Sequence, residues 1–451
     1  MSASGAFAGR RFVVVGLGVA GRAAARVLTE EGAHVLATEE RSEVEGAAEL
    51  VDLGVDVRLG GHEHEHLDRA DAVVASPGVP EHAAVLRWAT ERGIEVWSEL
   101  DVGARLCRVP YVAITGTNGK STTTELVAAM LSAAGLDGMA CGNIGHPFSV
   151  AAREGHDVLA VEASSFQLRF HHWLHPRVSV LLNIAPDHLD WHGSLETYGA
   201  AKARIFELQG QGDIHVGNAD DPAAAAISRR ARCALAWFRD GAPAPGEVGV
   251  VGAEIVAHRD GRETGLGRPV HDAAGFVADC AAAAAAALAF GLPPEAVADA
   301  IRTMTPLPHR GEEVARVGSV RFLDDSKATN VHAALHALRG KSDVVLIAGG
   351  MAKGVDLSPL AEGLASLTGV VALGESAPEV VSVFDGRVPV RTAASIEDAV
   401  TMAHALAPEG GTVLLAPACA SWDMFRDYTE RGDRFAAAAR ALTKEDAGVE
   451  R

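Results

Sequence analysis

The segment Gly116-Thr117-Asn118-Gly119-Lys120-Ser121 carries residue types that can hold a nucleoside triphosphate. Its glycines let backbone N–H groups close around phosphate oxygens, Lys120 supplies positive charge, Ser121 offers a hydroxyl to Mg²⁺, and a helix start adds partial positive charge. Residues 111–115 read as a strand and a helix is expected from about Thr122, so the glycines fall at the strand-to-helix turn this chemistry needs. The spacing departs from the common P-loop, whose first glycine would fall at Ile114.

Further along, the apolar residues 158–161 end in Glu162, followed by Ala163-Ser164-Ser165-Phe166-Gln167. Residues 180–182 likewise lead into Asn183-Ile184-Ala185-Pro186-Asp187-His188-Leu189-Asp190. A carboxylate leaving a buried strand suits the Mg²⁺ of a bound nucleotide, and an imidazole at a strand end could bind metal or orient phosphate. The plainer alternative is that Glu162 and His188 cap helices or sit solvated at loop starts. Near the start of the chain, Gly16-Leu17-Gly18-Val19-Ala20-Gly21 follows a short apolar run. Glu39 stands about 20 residues on, where a dinucleotide fingerprint places its ribose-binding acid. Alone this pattern says NAD, but such a turn can hold any pyrophosphate or phosphate-bearing ligand, so the ligand stays open. His62-Glu63-His64-Glu65-His66 would line one face of a strand with imidazoles, yet its polar surroundings after Gly60-Gly61 favour a solvated patch. Neither Ser121 nor the Ser164-Ser165 pair lies in a Gly-x-Ser-x-Gly elbow, which removes the case for a serine hydrolase.

The elements that must position these groups follow from length and composition. At roughly 150 residues per domain, 451 residues make about three domains. With 48% hydrophobic residues there is material for several cores, and 5% aromatics beside 48 glycines favours an α/β class built from small aliphatic side chains and tight turns. The net charge of −19 argues against a nucleic-acid or acidic-membrane binder while leaving room for local basic pockets. Five cysteines, odd in number and without a Cys-x-x-Cys pair, read as reduced thiols. With no signal-peptide core and no run of about 18 apolar residues, the expectation is a soluble, cytoplasmic chain. Strands at 12–15, 34–37, 72–75 and 95–97, with helices between, give a first doubly wound sheet. Strands at 111–115, 158–161 and 178–182 give a second parallel sheet, and 320–323, 344–348, 370–373 and 412–415 belong to a third α/β unit. Residues 241–252 look like an exposed loop, 280–289 like a tightly packed helix, and Pro306 and Pro308 like a hinge. The expected domains are 1–106, 107–308 and 309–451.

In order and spacing, these segments make the sequence resemble the Mur ligases of bacterial peptidoglycan synthesis over essentially its whole length. The resemblance rests on residues 116–123, Gly142-Asn143-Ile144-Gly145, 162–167, 183–190, Tyr198-Gly199-Ala200-Ala201-Lys202 and His309-Arg310. Asp325-Ser326-Lys327-Ala328-Thr329-Asn330, and Pro417-Ala418-Cys419-Ala420-Ser421-Trp422-Asp423 with Phe425, point to the branch that adds D-glutamate. The implied fold is a Rossmann-like N-terminal domain, a central P-loop-type ATPase domain with a parallel sheet, and a Rossmann-like C-terminal domain. The implied activity is ATP-dependent amide formation between UDP-N-acetylmuramoyl-L-alanine and D-glutamate. The substrate carboxylate takes the γ-phosphoryl group of ATP, and the amine then displaces phosphate from the acyl phosphate.

That resemblance implies roles for individual residues. Gly18, Val19, Ala20 and Gly21 would contact the phosphates of the UDP-substrate, with Ser76, Pro77 and Gly78 in the same pocket and Glu39 and Arg41 on its uridine side. Asn143, Ser164 and Gln167 would follow the substrate towards the central domain. Gly116, Thr117, Asn118, Gly119, Lys120, Ser121 and Thr122 would hold ATP phosphates, and Arg310 and Asp325 the adenosine. Ser121, Glu162, His188 and a carbamylated Lys202 would ligate a pair of Mg²⁺ ions, or Mn²⁺. Lys120, Glu162, His188, Lys202 and Lys327 make the catalytic set; Thr329, Lys353, Ser421 and Tyr428 would hold D-glutamate, Tyr428 standing where Phe is frequent. The family's His-Asn-x-x-Asn before the Ala-rich helix is here Gly275-Phe276-Val277-Ala278-Asp279, which leaves the adenine contact unassigned. A monomer is expected, without nucleic-acid binding or membrane insertion. A sister Mur-type or folylpolyglutamate-type ligase is the main alternative, disfavoured by the two C-terminal segments. An NAD-dependent oxidoreductase leaves Lys120 and Ser121 idle, and a non-catalytic nucleotide sensor has no need of Glu162, His188 and Lys202.

Overall fold

The computed structural model describes residues 5–259 and 261–449, which build three sheets flanked by helices. The first sheet comprises β1 (Arg11–Val15), β2 (His34–Glu39), β3 (Asp56–Leu59), β4 (Ala72–Ala75) and β5 (Glu95–Ser98), in the order β3-β2-β1-β4-β5 with every pair parallel. Alternation along β1 feeds two cores: Phe12 and Val14 pack with Phe7 and Trp97, while Val13 and Val15 pack with Val85 and Leu86. Strand order reverses at β1, which puts its glycine-rich turn at the crevice where doubly wound sheets receive ligands.

The second sheet comprises β6 (Tyr111–Thr115), β7 (Gly138–Gly142), β8 (Val158–Glu162), β9 (Val178–Leu181), β10 (Ile214–Asn218), β11 (Ala234–Phe238), β12 (Glu247–Val251), β13 (Glu254–Arg259) and β14 (Arg262–Gly267). Its order is β14-β13-β12-β11-β10-β9-β6-β8-β7. β6 lies between β8 and β9 with all five residues buried, as a parallel strand covered on both faces requires. The strands expected at 111–115, 158–161 and 178–182 are parallel neighbours, the sheet stays parallel from β7 to β12, and an antiparallel extension runs from β12 to β14. The expected exposed loop at 241–252 is corrected: β12 lies there, with Val248 and Val250 buried. The helix Ala274–Phe290 buries Cys280 and the alanines after it, whose short side chains permit close approach of neighbouring backbone.

The third sheet comprises β15 (Glu312–Val317), β16 (Val320–Asp324), β17 (Val344–Ala348), β18 (Leu367–Ala372), β19 (Val390–Thr392) and β20 (Thr412–Leu415). Its order is β15-β16-β20-β17-β18-β19, parallel except for the β15–β16 hairpin.

The chain gathers into two compact units. One takes residues up to Ile184, Glu196–Val270 and Ala278–Met304; the other takes Ala185–Leu195, His271–Val277 and the chain from Thr305 onward. Within the first unit, buried carboxylates on the helix Glu99–Leu106 join the first sheet to the second. Asp101 Oδ1 accepts from the backbone N–H of His172 (2.6 Å) and Trp173 (2.9 Å), and Glu99 Oε1 accepts from that of Ser149 (2.6 Å). Burial raises the Glu99 carboxyl pKa to about 7. All five cysteines are free, and burial raises the pKa of each thiol, that of Cys419 to about 11. Among the described residues no helix is long and apolar enough to cross a membrane.

Candidate functional site

The first glycine-rich turn folds tightly on itself. Gly16 has φ +84°, and a Cβ on Gly21 would stand 1.9 Å from the Gly16 carbonyl oxygen, so neither position admits a larger residue. Cβ atoms on Gly16 and Gly18 would meet Ser76 at 3.0 and 3.4 Å, which brings Ser76 and these glycines into one pocket; Val19 is exposed and the helix Val19–Glu30 starts there. Glu39 is buried with both carboxylate oxygens engaged. Oε2 accepts from the Leu17 N–H (2.8 Å) and from Arg41 Nη2 (2.9 Å), and Oε1 from Arg41 Nε (3.1 Å) and the Arg41 N–H (3.2 Å). The Arg41 guanidinium holds the Glu39 pKa down to about 2, against burial. This carboxylate therefore braces the turn and aims Arg41, instead of standing open to a ribose as an NAD site would have it. The His62–His66 motif is no strand with a row of imidazoles: His64–Leu67 is a single 3-10 turn, Glu63, His64 and Glu65 are exposed, and His62 and His66 converge on Thr38 Oγ1 at 2.9 and 3.0 Å.

The second turn, after β6, gathers two lysines, a tyrosine and an asparagine. The helix Lys120–Ala133 begins at Lys120, slightly earlier than the expected Thr122. Lys120 Nζ donates to the carbonyls of Gly116 (2.9 Å) and Thr117 (2.8 Å). Lys202, from the helix Leu195–Ala203, is buried, donates to the same Gly116 carbonyl (2.8 Å) and lies 4.5 Å from the Tyr198 ring centroid. A solvated surface lysine is thus excluded at 202. Tyr198 Oη donates to Thr117 Oγ1 (3.2 Å), while Asn183 grips the loop by accepting from the Asn118 N–H (2.8 Å) and donating to its carbonyl (3.2 Å). Ser121 is half-buried and Thr122 buried in the first helical turn.

Glu162 ends β8 almost wholly buried. Its Oε1 accepts from Asn143 Nδ2 (2.9 Å), whereas Oε2 is buried without a hydrogen-bond partner. An orphaned carboxylate oxygen is costly unless a cation or donor meets it, so this group fits a divalent metal. Among the described residues no three His, Cys, Asp or Glu side chains converge by themselves, so an ion here would also draw on hydroxyl, phosphate or modified-lysine oxygens. Ser164 and Gln167, expected to touch substrate, are engaged with each other. They form the capping box of the short helix Ser165–Phe170: Gln167 Oε1 accepts from the Ser164 N–H (3.0 Å), and Ser164 Oγ from the Gln167 N–H (3.3 Å).

Gly119 carries a sharp constraint. Its φ is +84°, and an added Cβ would lie 2.1 Å from Oδ1 of Asp279, the residue standing where the family's second asparagine was sought. Gly119→Ala is therefore expected to lower stability by about 1–3 kcal/mol and to weaken nucleotide binding, read by thermal denaturation with and without an ATP analogue. Unchanged melting with unchanged binding would count against this packing.

In the second unit, Asp325 follows β16 and Lys327 N–H bonds to the His309 carbonyl (3.2 Å). Burial raises the Asp325 pKa to about 7, opposed by Arg310 and reinforced by Asp324. His309 Nδ1 pairs with Asp324 Oδ2 at 2.7 Å. Lys327 Nζ lies 3.8 Å from the centroid of the Tyr428 ring, and Ser421 is buried. The Thr329 N–H bonds to the Lys327 carbonyl (2.8 Å). Lys353, buried in a left-handed conformation (φ +55°), forms an ion pair with Asp187 Oδ1. His188, half-buried, belongs to this unit as well, with φ +53°.

The sequence reading passed over two residues. Arg431 is buried and donates to Ser326 Oγ (3.0 Å), the Ser326 carbonyl (2.8 Å) and the Cys419 carbonyl (3.1 Å), tying both C-terminal segments together. Asp187 accepts from Lys353, from Asn330 Nδ2 (3.0 Å) and from the His188 N–H (2.9 Å). Asp187 stands inside a quoted motif, which was its only signal; Arg431 had none.

Comparison with known proteins matches residues 10–98 to the Mur ligase MurD-like N-terminal domain, 114–260 to the Mur ligase middle domain, and 309–419 to the Mur ligase glutamate ligase domain. The UDP-N-acetylmuramoylalanine–D-glutamate ligase of Frankia casuarinae is 42% identical, covering 98% of this chain and 96% of that protein. Proteins of the same name from Salinibacter ruber and Thermobifida fusca are each 41% identical, covering 94% and 96% of this chain and 96% and 99% of their own lengths. Among solved structures, a pseudomurein peptide ligase type C from Methanothermus fervidus superposes with a TM-score of 0.62 at 21% identity, covering 97% of this chain and 99% of that one. The MurF ligase from Thermotoga maritima, in complex with ADP, gives 0.60 at 17% identity, covering 98% and 97%; both show the same three-part fold.

Proposed function

The chain belongs to the Mur ligase family, and from that premise we propose that it joins D-glutamate to UDP-N-acetylmuramoyl-L-alanine at the expense of ATP in peptidoglycan precursor synthesis. The observation that carries the reading is the turn after β6, where the amines of Lys120 and Lys202 converge on the Gly116 carbonyl. Sites for phosphoryl transfer work mainly by positioning and neutralising charge. Lys120 would leave its loop carbonyls for the transferred phosphoryl group, and the loop N–H groups and helix start would hold the remaining phosphates. Mg²⁺, or Mn²⁺, bound through Ser121, Glu162, His188 and Lys202, would neutralise phosphate charge. Carbamylation of Lys202 suits its surroundings: a carbamate keeps one N–H for the Gly116 carbonyl and replaces a buried cation with a carboxylate.

On this reading residues 1–106 hold the UDP part of the substrate, 107–308 the ATP and 309–451 the amino acid, in a cytoplasmic monomer. Gly18 to Gly21, Ser76 to Gly78 and Arg41 would receive the UDP group, with Glu39 acting through Arg41. Asn143 would serve substrate, Arg310 and Asp325 adenosine, and Lys327 the reacting phosphate. Thr329, Lys353, Ser421 and Tyr428 would hold D-glutamate, while Ser164 and Gln167 shape the loop after Glu162 through their mutual cap. The test is phosphate release with ATP and UDP-N-acetylmuramoyl-L-alanine, comparing D-glutamate with L-glutamate, L-alanine, diaminopimelate and L-lysine. Release only with D-glutamate is expected; release that follows another amino acid, or none with D-glutamate, overturns the reading.

A further inference from the structure

Asp187 is nearly inaccessible and engages three groups at once. Its Oδ1 takes the Lys353 ammonium and the His188 N–H, and its Oδ2 takes the Asn330 side-chain amide. Two of those three neighbours, His188 and Lys353, belong to the six non-glycine residues with positive φ among the described residues. Left-handed backbone at non-glycine residues costs free energy and persists where surrounding contacts over-determine it. Asn330 is also the N-cap of the helix Val331–Leu338, its side chain accepting from the Ala333 N–H (2.9 Å), so one carboxylate is anchored to a fixed helix start and holds a lysine. A buried ammonium without a counter-charge would shed its proton or swing away.

We propose that Asp187 is the positioning residue for Lys353, fixing the place and charge of the ammonium that receives a carboxylate of the incoming amino acid. The proposal rests on the functional reading above, in which Lys353 meets D-glutamate. Asp187 itself touches no substrate: it acts through Lys353, and its own charge would repel an amino-acid carboxylate were the lysine not interposed.

The experiment compares wild type, Asp187→Asn, Lys353→Met and the double variant in the phosphate-release assay, varying D-glutamate and UDP-substrate separately. Asp187→Asn keeps the shape and an amide but leaves Lys353 uncompensated. Its KM for D-glutamate is expected to rise about tenfold or more, with KM for the UDP-substrate within about twofold of wild type. In the Lys353→Met background the same replacement should no longer raise the D-glutamate KM, since the group through which it acts is gone. Asp187→Glu, which restores a carboxylate, should recover part of the loss. An unchanged D-glutamate KM in folded Asp187→Asn, an equal rise in both KM values, or an undiminished effect without Lys353 would overturn the proposal. Should Asp187→Asn not fold, Asn330→Ala, which removes one support and keeps the charge pair, is expected to shift the D-glutamate KM alone; no shift there overturns it equally. Absence of D-glutamate-dependent turnover in wild type would instead strike the functional reading.

Discussion

Lys120→Ala protein is expected to lose D-glutamate-dependent phosphate release by about a thousandfold or more while remaining folded. The Lys120 ammonium rests on the carbonyls of Gly116 and Thr117, two acceptors of the turn that would otherwise present only negative ends to an incoming phosphate. Removing the amine both withdraws the positive charge and bares those carbonyls, so transfer suffers more than a single hydrogen bond would suggest. Stability should change little, because Lys120 is half-exposed at the first position of its helix, where alanine is well tolerated. Lys120→Arg is expected to fail nearly as badly, since a planar guanidinium on a longer stem does not reproduce a compact ammonium seated between two carbonyls. Steady-state phosphate release, with calorimetry of an ATP analogue, checks both variants. Near-normal turnover in Lys120→Ala would remove the turn after β6 from the chemistry.

The second large effect is expected at Lys202. Lys202→Ala should lower turnover by about a hundredfold or more, with partial recovery on adding formate, acetate or propionate. The side chain is 1% exposed, so its removal opens a cavity at the Gly116 carbonyl into which a small carboxylate can enter. Lys202→Arg separates the two chemistries. An arginine preserves a cation but cannot become a carbamate, so its activity should be as low as that of alanine and unresponsive to bicarbonate. Full activity in Lys202→Arg, or an alanine variant that no carboxylate rescues, would mean that Lys202 serves as a plain cation. Thermal denaturation of each variant separates lost packing from lost chemistry.

The strands that hold the two glycine-rich turns were readable because each is a run of mostly aliphatic residues closed by a polar or glycine signal, as in residues 12–15 and 111–115. The antiparallel strands after β11 were not: β14 reads Arg-Glu-Thr-Gly-Leu-Gly, exposed over most of its length, and owes its conformation to pairing with β13. Glu39 was recognised as a conspicuous acid, but its saturation by Leu17 and Arg41 depends on how close two turns approach in space. Ser164-x-x-Gln167 is different, since its capping signature is local and stands in the sequence itself. At 62–66 the polar surroundings were a better guide than the alternation, because the preceding glycines let the chain turn immediately and period 2 never acquired a strand to act on. The Asp187–Lys353 pair spans 166 residues, a separation at which no local pattern carries information.

The excursion of residues 185–195 into the second compact unit bears on inheritance. A gene segment encoding only residues 309–451 would carry the third sheet intact, yet its Lys353 would arrive without the carboxylate that compensates it, because Asp187 is encoded far upstream. Recombination at the apparent seam near Pro308 would thus deliver a buried lysine without its counter-charge. The third sheet can therefore be exchanged with this ion pair intact only together with the short stretch 185–195, which lies far upstream in the chain.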